Sequence, residues 1–249
     1  MEAFKVDIRL AAPVLVDSEY PIHLDALLAY ACVQEMEQAG EEDCWAQAEG
    51  HMGSLLERTS GENWVWKASQ LLFSYASPLI FTNMIRRCDP EMYFEDMYYP
   101  DLEKNEGDVS LANPKGVWVS GVTKDGMPRL PAPETFNINS VSGQQRGYQW
   151  LAASRWVESI TAYGVGDADL VQEYLSAHIQ HIGNAGRTGH GRVKSILVTP
   201  HDDDQAWRVR VLPEGEAFAP NVEYAKVQAC VRGAYWRKTD RVMAYEPIV

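Results

Sequence analysis

The feature that most restricts the fold of this chain is a repeated switch between two hydrophobic periods. Phe4, Val6, Ile8 and Leu10 alternate with Lys5, Asp7 and Arg9, the pattern of a half-buried strand. After Pro13 and Pro21 the period lengthens. Leu24, Leu27, Leu28 and Ala31 recur at helical spacing, from His23 to about residue 39, and Gly40 supplies a C-terminal stop. The switch returns further on. Residues 155–163 alternate as a strand, and residues 164–167 (Gly-Val-Gly-Asp) read as a turn. Asp167 is placed to cap a helix from 168 to about 181, striped by Leu170, Val171, Tyr174, Leu175 and Ile179.

Between these blocks, residues 64–77 and 79–87 read as two strands broken at Pro78. Residues 193–199 and 207–212 read as two more, joined by a polar turn, with a last strand at about 226–234. This order predicts an α+β domain of ferredoxin-like (RRM-like) βαββαβ build. The 249 residues suit one domain spanning 1–249, with insertions at about 40–63 and 88–147. The first insertion carries a short helix near Leu55. The second contains a short strand at 117–120 and is long enough to be functional in its own right.

Charge is unevenly divided. Residues 1–112 carry 7 Lys/Arg against 21 Asp/Glu, and residues 113–249 carry 15 against 14, so the net −13 belongs to the first half. Local potential governs contact with phosphate, so the second half can still meet an anion. An acidic face suits solvent or a basic partner protein. No apolar run approaches the ~20 residues of a membrane helix, and the N-terminus lacks the layout of a secretory signal. A cytoplasmic location is expected. Cys32, Cys44, Cys88 and Cys230 match no metal spacing and read as buried reduced thiols. No cofactor or metal is expected.

The chemistry concentrates in a loop between the second helix and the next strand. Gly183, Gly186, Gly189 and Gly191 fall within nine residues, with Asn184, Arg187, Thr188, His190 and Arg192 around them and Lys194 just beyond. Glycine lets the backbone approach a ligand, exposed amides can cradle an anion, and arginine offers a fork matched to phosphate. The loop lacks the Gly-Lys-Ser/Thr end of a Walker A motif. It follows a helix and opens a strand, the reverse of a dinucleotide fingerprint. A sugar–phosphate chain fits it best, and an ordinary flexible linker is the plainer alternative.

Near the C-terminus Lys226, Arg232, Arg237, Lys238 and Arg241 interleave with Tyr224, Tyr235 and Trp236, a composition suited to single-stranded RNA or to a solvated edge strand. Trp64, Trp66, Phe73 and Tyr75 read as core, and residues 92–99 as a partner-docking patch. The run Asp202, Asp203, Asp204 reads as a solvated turn rather than a Mg²⁺ site.

The segment from Ile182 through Val193, preceded by its strand, Gly-x-Gly-Asp turn and helix, resembles the C-terminal signature of the repeat-associated (RAMP) CRISPR proteins. Residues 21–29 (Pro-Ile-His-Leu-Asp-Ala-Leu-Leu-Ala) are similar to the first-helix segment of a type IV subunit, the one corresponding to the protein that caps the guide's 5′ handle. The resemblance implies a non-catalytic crRNA-binding subunit of a type IV effector complex. It would hold the 5′ handle, touch backbone and large subunits, and face target DNA near the protospacer-adjacent motif. It also implies an alternative, a metal-independent endoribonuclease with His23 as general base, imidazole having a pKa near neutrality. A protein–protein adaptor without RNA contact is the third reading.

Overall fold

The computed structural model describes residues 1–15, 21–86, 148–233, 235 and 238–248. The expected strand at 117–120, the patch at 92–99, Cys88, Trp236 and Arg237 lie outside the described residues. The chain divides into two compact units, one of residues 1–81 with 153–249 and one of residues 82–152.

In the larger unit, strand β1 (Glu2–Leu10) buries Phe4, Val6 and Ile8 completely, while Lys5, Asp7 and Arg9 take the opposite face. The period of two therefore fixes which face meets the core. A tiny strand β2 (Val14–Leu15) follows, then helix α1 (Leu24–Gln38). His23 makes no side-chain cap for α1. Instead the Leu24 amide donates to Ser69 O at 3.0 Å, which satisfies one of the orphan helix donors. Gly40 lies just beyond the last turn at φ +78°, the left-handed position that ends many helices.

Residues 40–63 hold more than a short helix. A twelve-residue helix α2 (Cys44–Leu55) buries Cys44, Ala48, Met52 and Leu55 in the same core as α1. Residues 64–71 are tied by isolated bridges rather than forming a strand, and strand β3 is only Leu72–Tyr75. Strands β4 (Ile80–Arg86) and β5 (Tyr148–Arg155) carry the chain between the two units. Strand β6 (Val157–Gly166), helix α3 (Ala168–His178) and strand β7 (Val193–Pro200) complete the main layer.

The principal sheet has the order β3-β6-β1-β7. β1 runs antiparallel to both neighbours, with Val6 opposite Ala162 and Val198, and β3 runs antiparallel to β6. Its buried face packs on α1 and α3 through Leu24, Leu28, Ile160, Val171 and Leu175, all 0 % exposed. Each such side chain contributes roughly 1.5–3 kcal/mol of burial. Asp167 caps α3 as expected, its Oδ1 accepting from the amides of Asp169 and Leu170 at 3.1 Å each. Gln172 on α3 reaches the edge strand, accepting from the Val198 amide at 2.7 Å and donating to Ile196 O at 3.2 Å. A sheet edge thus gains polar partners from a helix.

The expected turn at 164–167 is strand up to Gly166. Its glycines answer to close approach. A Cβ on Gly164 would meet the Phe4 ring at 2.5 Å, and one on Gly166 would meet Leu55 O at 1.9 Å.

A second cluster of buried side chains (Val65, Val165, Trp207, Val211, Leu212, Val231, Ala244) lies under a small sheet of order β8-β10-β9. These strands are β8 (Leu212–Pro213), β9 (Tyr224–Ala229) and β10 (Val242–Pro247). The expected strand at 207–212 does not form. Ala206–Arg208 is a 3₁₀ turn, and only Leu212 pairs as strand. Within this segment Arg210 is 0 % exposed, its guanidinium donating to six acceptors: Asp25 Oδ2, the Tyr235 hydroxyl and the carbonyls of Trp66, Ala68, Val211 and Val231.

Candidate functional site

The glycine loop hangs from a short antiparallel closure. Past α3, the amide of Val193 donates to Gln180 O at 2.8 Å, Ile182 donates to Gly191 O at 2.9 Å, and His181 bridges Arg192. The segment around β2 holds it from outside. Asn184 donates to Leu15 O at 2.9 Å, Gly191 to Pro13 O at 2.7 Å, and Ala11 to Arg192 O at 2.7 Å. Two glycines are obligatory for this docking. Gly183 at φ +80° lies where a Cβ would sit 2.6 Å from Leu15 O, and Gly191 at φ +62° where it would sit 1.9 Å from Ile182 O.

The loop tip is a 3₁₀ turn, Gly186–Thr188, entered through Ala185 at φ +61°. Thr188 Oγ1 donates to Ala185 O at 2.9 Å and lies 3.0 Å from His190 Nδ1. The amides of Asn184, Thr188, Gly189 and Gly191 all donate to the chain's own carbonyls. These four therefore do not form the open amide cradle that the glycine count suggests, and what the loop offers to solvent is its side chains. Arg187, Arg192 and Lys194 are exposed. Among the described residues none of the three pairs with a carboxylate.

Between the end of α3 and the start of β7 lies a groove of about 360 Å³. Arg192, Lys194 and His181 line it with Gln180, Ser176 and Ser195, and no carboxylate does. In a chain of net charge −13 such a place is selective by its composition. Cations, hydroxyls and an amide suit the oxygens of a phosphodiester.

The C-terminal residues named from sequence divide. Tyr235 is 9 % exposed and belongs to the core, so its ring is not presented to a base. Lys238 opens a 3₁₀ turn, Lys238–Asp240. Lys226 lies 3.8 Å from Glu214 and over the Tyr245 ring. Arg232 is stacked over Trp64 at 4.7 Å. Trp66 is 8 % exposed and packs edge-on against Trp64, whereas Tyr75 is 41 % exposed and stacks on Phe73. Asp202, Asp203 and Asp204 are exposed, with Asp203 accepting from the Gln205 amide at 2.8 Å. Among the described residues no group of acidic, histidine or cysteine side chains is arranged to hold a metal.

His23 occupies a closed position, 1 % exposed, with its ring stacked on Tyr235 at 4.1 Å. Nδ1 lies 3.1 Å from Pro21 O, so Nδ1 carries the proton and Nε2 the lone pair. Nε2 is buried without a hydrogen-bond partner among the described residues. Burial, with the Arg210 charge acting in the same direction, lowers the imidazole to about 3.

Sequence reading missed the polar centre beside His23. The Tyr235 hydroxyl donates to Asp25 Oδ2 at 2.5 Å and accepts from Arg210 Nη2 at 2.8 Å. Burial first, and then Asp25, raise the Tyr235 hydroxyl well above its usual range, against the opposing Arg210 charge. Arg210 further donates to the carbonyls of Trp66 (2.7 Å), Ala68 (2.9 Å) and Val231 (2.8 Å). One guanidinium thus joins α1, the 64–68 segment and the C-terminal region. An arginine flanked by Trp207, Val209 and Val211 was the available sign.

The chain matches the family described as CRISPR type IV associated protein Csf3 over residues 2–247. It belongs to that family. The type IV association inferred from residues 21–29 therefore stands. Comparison with curated proteins gives no match. Among the described residues no helix is long and apolar enough to cross a membrane.

Proposed function

We propose that this type IV CRISPR protein is a non-catalytic, crRNA-binding subunit of the effector complex, of RAMP type, which holds the 5′ handle of the guide RNA. The observation that carries the reading is the carboxylate-free groove at Arg192 and Lys194, beside exposed Arg187, on an otherwise acidic chain. The ferredoxin-like assignment draws support from chain order. With α2 as an extra helix, β1, α1, β3, β6, α3 and β7 follow one another as βαββαβ, and the first strand lies between the third and fourth. Backbone and large subunits, and target DNA near the protospacer-adjacent motif, are the proposed neighbours. The enclosed position of His23 favours this role over the endoribonuclease alternative, since a general base must come within hydrogen-bond reach of the proton it takes.

The test is a salt titration with labelled guide RNA. Replacing Arg187, Arg192 and Lys194 by Ala should weaken binding and reduce the slope of log K against log salt by about 2, at roughly 0.7 per phosphate contact on a single strand. An unchanged slope contradicts the assignment.

A further inference from the structure

We propose that Arg58, Trp64 and Arg232 form a second anion site that holds a phosphodiester of the same single strand. Residues 57–67 form a tight hairpin-like turn. Thr59 donates to Val65 O and Lys67 to Glu57 O, each at 2.8 Å, while Arg58 bridges Trp66. The turn brings Arg58 over the Trp64 ring at 5.0 Å. From a distant part of the sequence Arg232 reaches the same ring at 4.7 Å. Trp64 itself is oriented by its edge-on contact with the buried Trp66, 5.1 Å between centroids at 78°.

Two guanidinium groups within reach of one indole are therefore held no farther apart than about a Debye length at moderate salt, some 8–10 Å. The indole attracts each of them, but it does not neutralise either. Lys67 and Glu57 are paired with each other at 2.8 Å. Among the described residues neither Arg58 nor Arg232 carries an ion pair. A guanidinium stacked on a ring keeps its in-plane N–H fork for oxygen acceptors, and phosphate is the anion it matches best. Arg58 is exposed, and Trp64 and Arg232 are half-buried, so the pair can be approached from solvent.

The two halves of the site are fixed in place by Arg210. Its Nη1 holds Trp66 O at 2.7 Å and its Nη2 holds Val231 O at 2.8 Å, one residue from Arg232. Arg210 is thus a positioning residue for a site that it does not touch.

This inference rests on the nucleic-acid reading above, and the test separates the two. Unaltered protein, the loop variant (Arg187→Ala, Arg192→Ala, Lys194→Ala) and a clamp variant (Arg58→Gln, Arg232→Gln) are titrated with labelled oligo(U) and oligo(dT) over a range of salt. The clamp variant should lower the slope by about 1.4, two contacts at roughly 0.7 each. A slope equal to that of the unaltered protein, with the loop variant reduced, overturns the clamp alone. No salt-dependent binding by the unaltered protein overturns both readings. The strand type on which the clamp variant lowers the slope names the strand that the clamp holds. A readout independent of variant folding is ultraviolet cross-linking of 5-bromouridine RNA to the unaltered full chain. An adduct on the peptide containing Trp64 is expected, and adducts confined to the glycine loop would overturn the clamp.

Discussion

Arg210 and His23 show on what terms polar groups are buried in this protein, one charged and hydrogen-bonded, the other neutral. A buried guanidinium is tolerated only when its donors are satisfied, and here the carbonyls of Trp66, Ala68 and Val231, the Tyr235 hydroxyl and the Asp25 carboxylate do so. His23 is enclosed in its neutral form. The unfolded chain takes up a proton near 6.5, the folded chain only near about 3, so the unfolded state binds more protons throughout that interval. Stability contributed by neutral His23 is therefore present above pH 6.5 and is lost as pH falls toward 3. Between pH 7 and pH 5 this loss amounts to roughly 2 kcal/mol. Urea unfolding of the protein and of His23→Phe, which keeps a ring against Tyr235, should show a shallower pH dependence in the variant. Parallel curves would contradict the assignment of the proton to His23.

At the scale of elements, legibility followed periodicity. β1, α1 and α3 were readable because each exposes one face and buries the other, and β7 because half-buried Ile196 and Val198 alternate with exposed Ser195 and Leu197, so the repeat is written in the residues. α2 was only glimpsed near Leu55. Gly50 and Gly53 dilute its pattern, and of its buried residues only Met52 and Leu55 are large apolar side chains. The segment 207–212 misled because its alternation is produced by an arginine turned inward, which no periodicity reveals. The groove at Arg192 and Lys194 was legible as composition. The Arg58–Trp64–Arg232 cluster was not, since its members meet only through the tertiary fold.

The glycines test the element account directly. Gly166→Ala should cost about 3 kcal/mol by overpacking on Leu55 O, whereas Gly53→Ala, in open space on α2, should gain about 0.5–1 kcal/mol. Thermal melting of both variants distinguishes them, and equal shifts would contradict the packing described at the end of β6.

For the whole molecule, the distribution of charge outweighs its total. Residues 10–57 contain no lysine or arginine, so α1 and α2 form a region bearing acidic groups alone. That region repels nucleic acid, and the cations at the glycine loop and around Trp64 lie outside it in sequence. On the proposed function, a polyanion meeting this protein is thereby directed to the glycine loop and the surroundings of Trp64. The division suits a subunit that binds one RNA segment tightly while remaining indifferent to others.

The most direct measurement is cross-linking of the guide RNA within the natively purified type IV complex, followed by mapping of the linked peptides. The account predicts that the first nucleotides of the 5′ handle attach to the segment 180–194 of this chain. Handle nucleotides linked only to other subunits, or a complex in which this chain carries no RNA adduct, would contradict it.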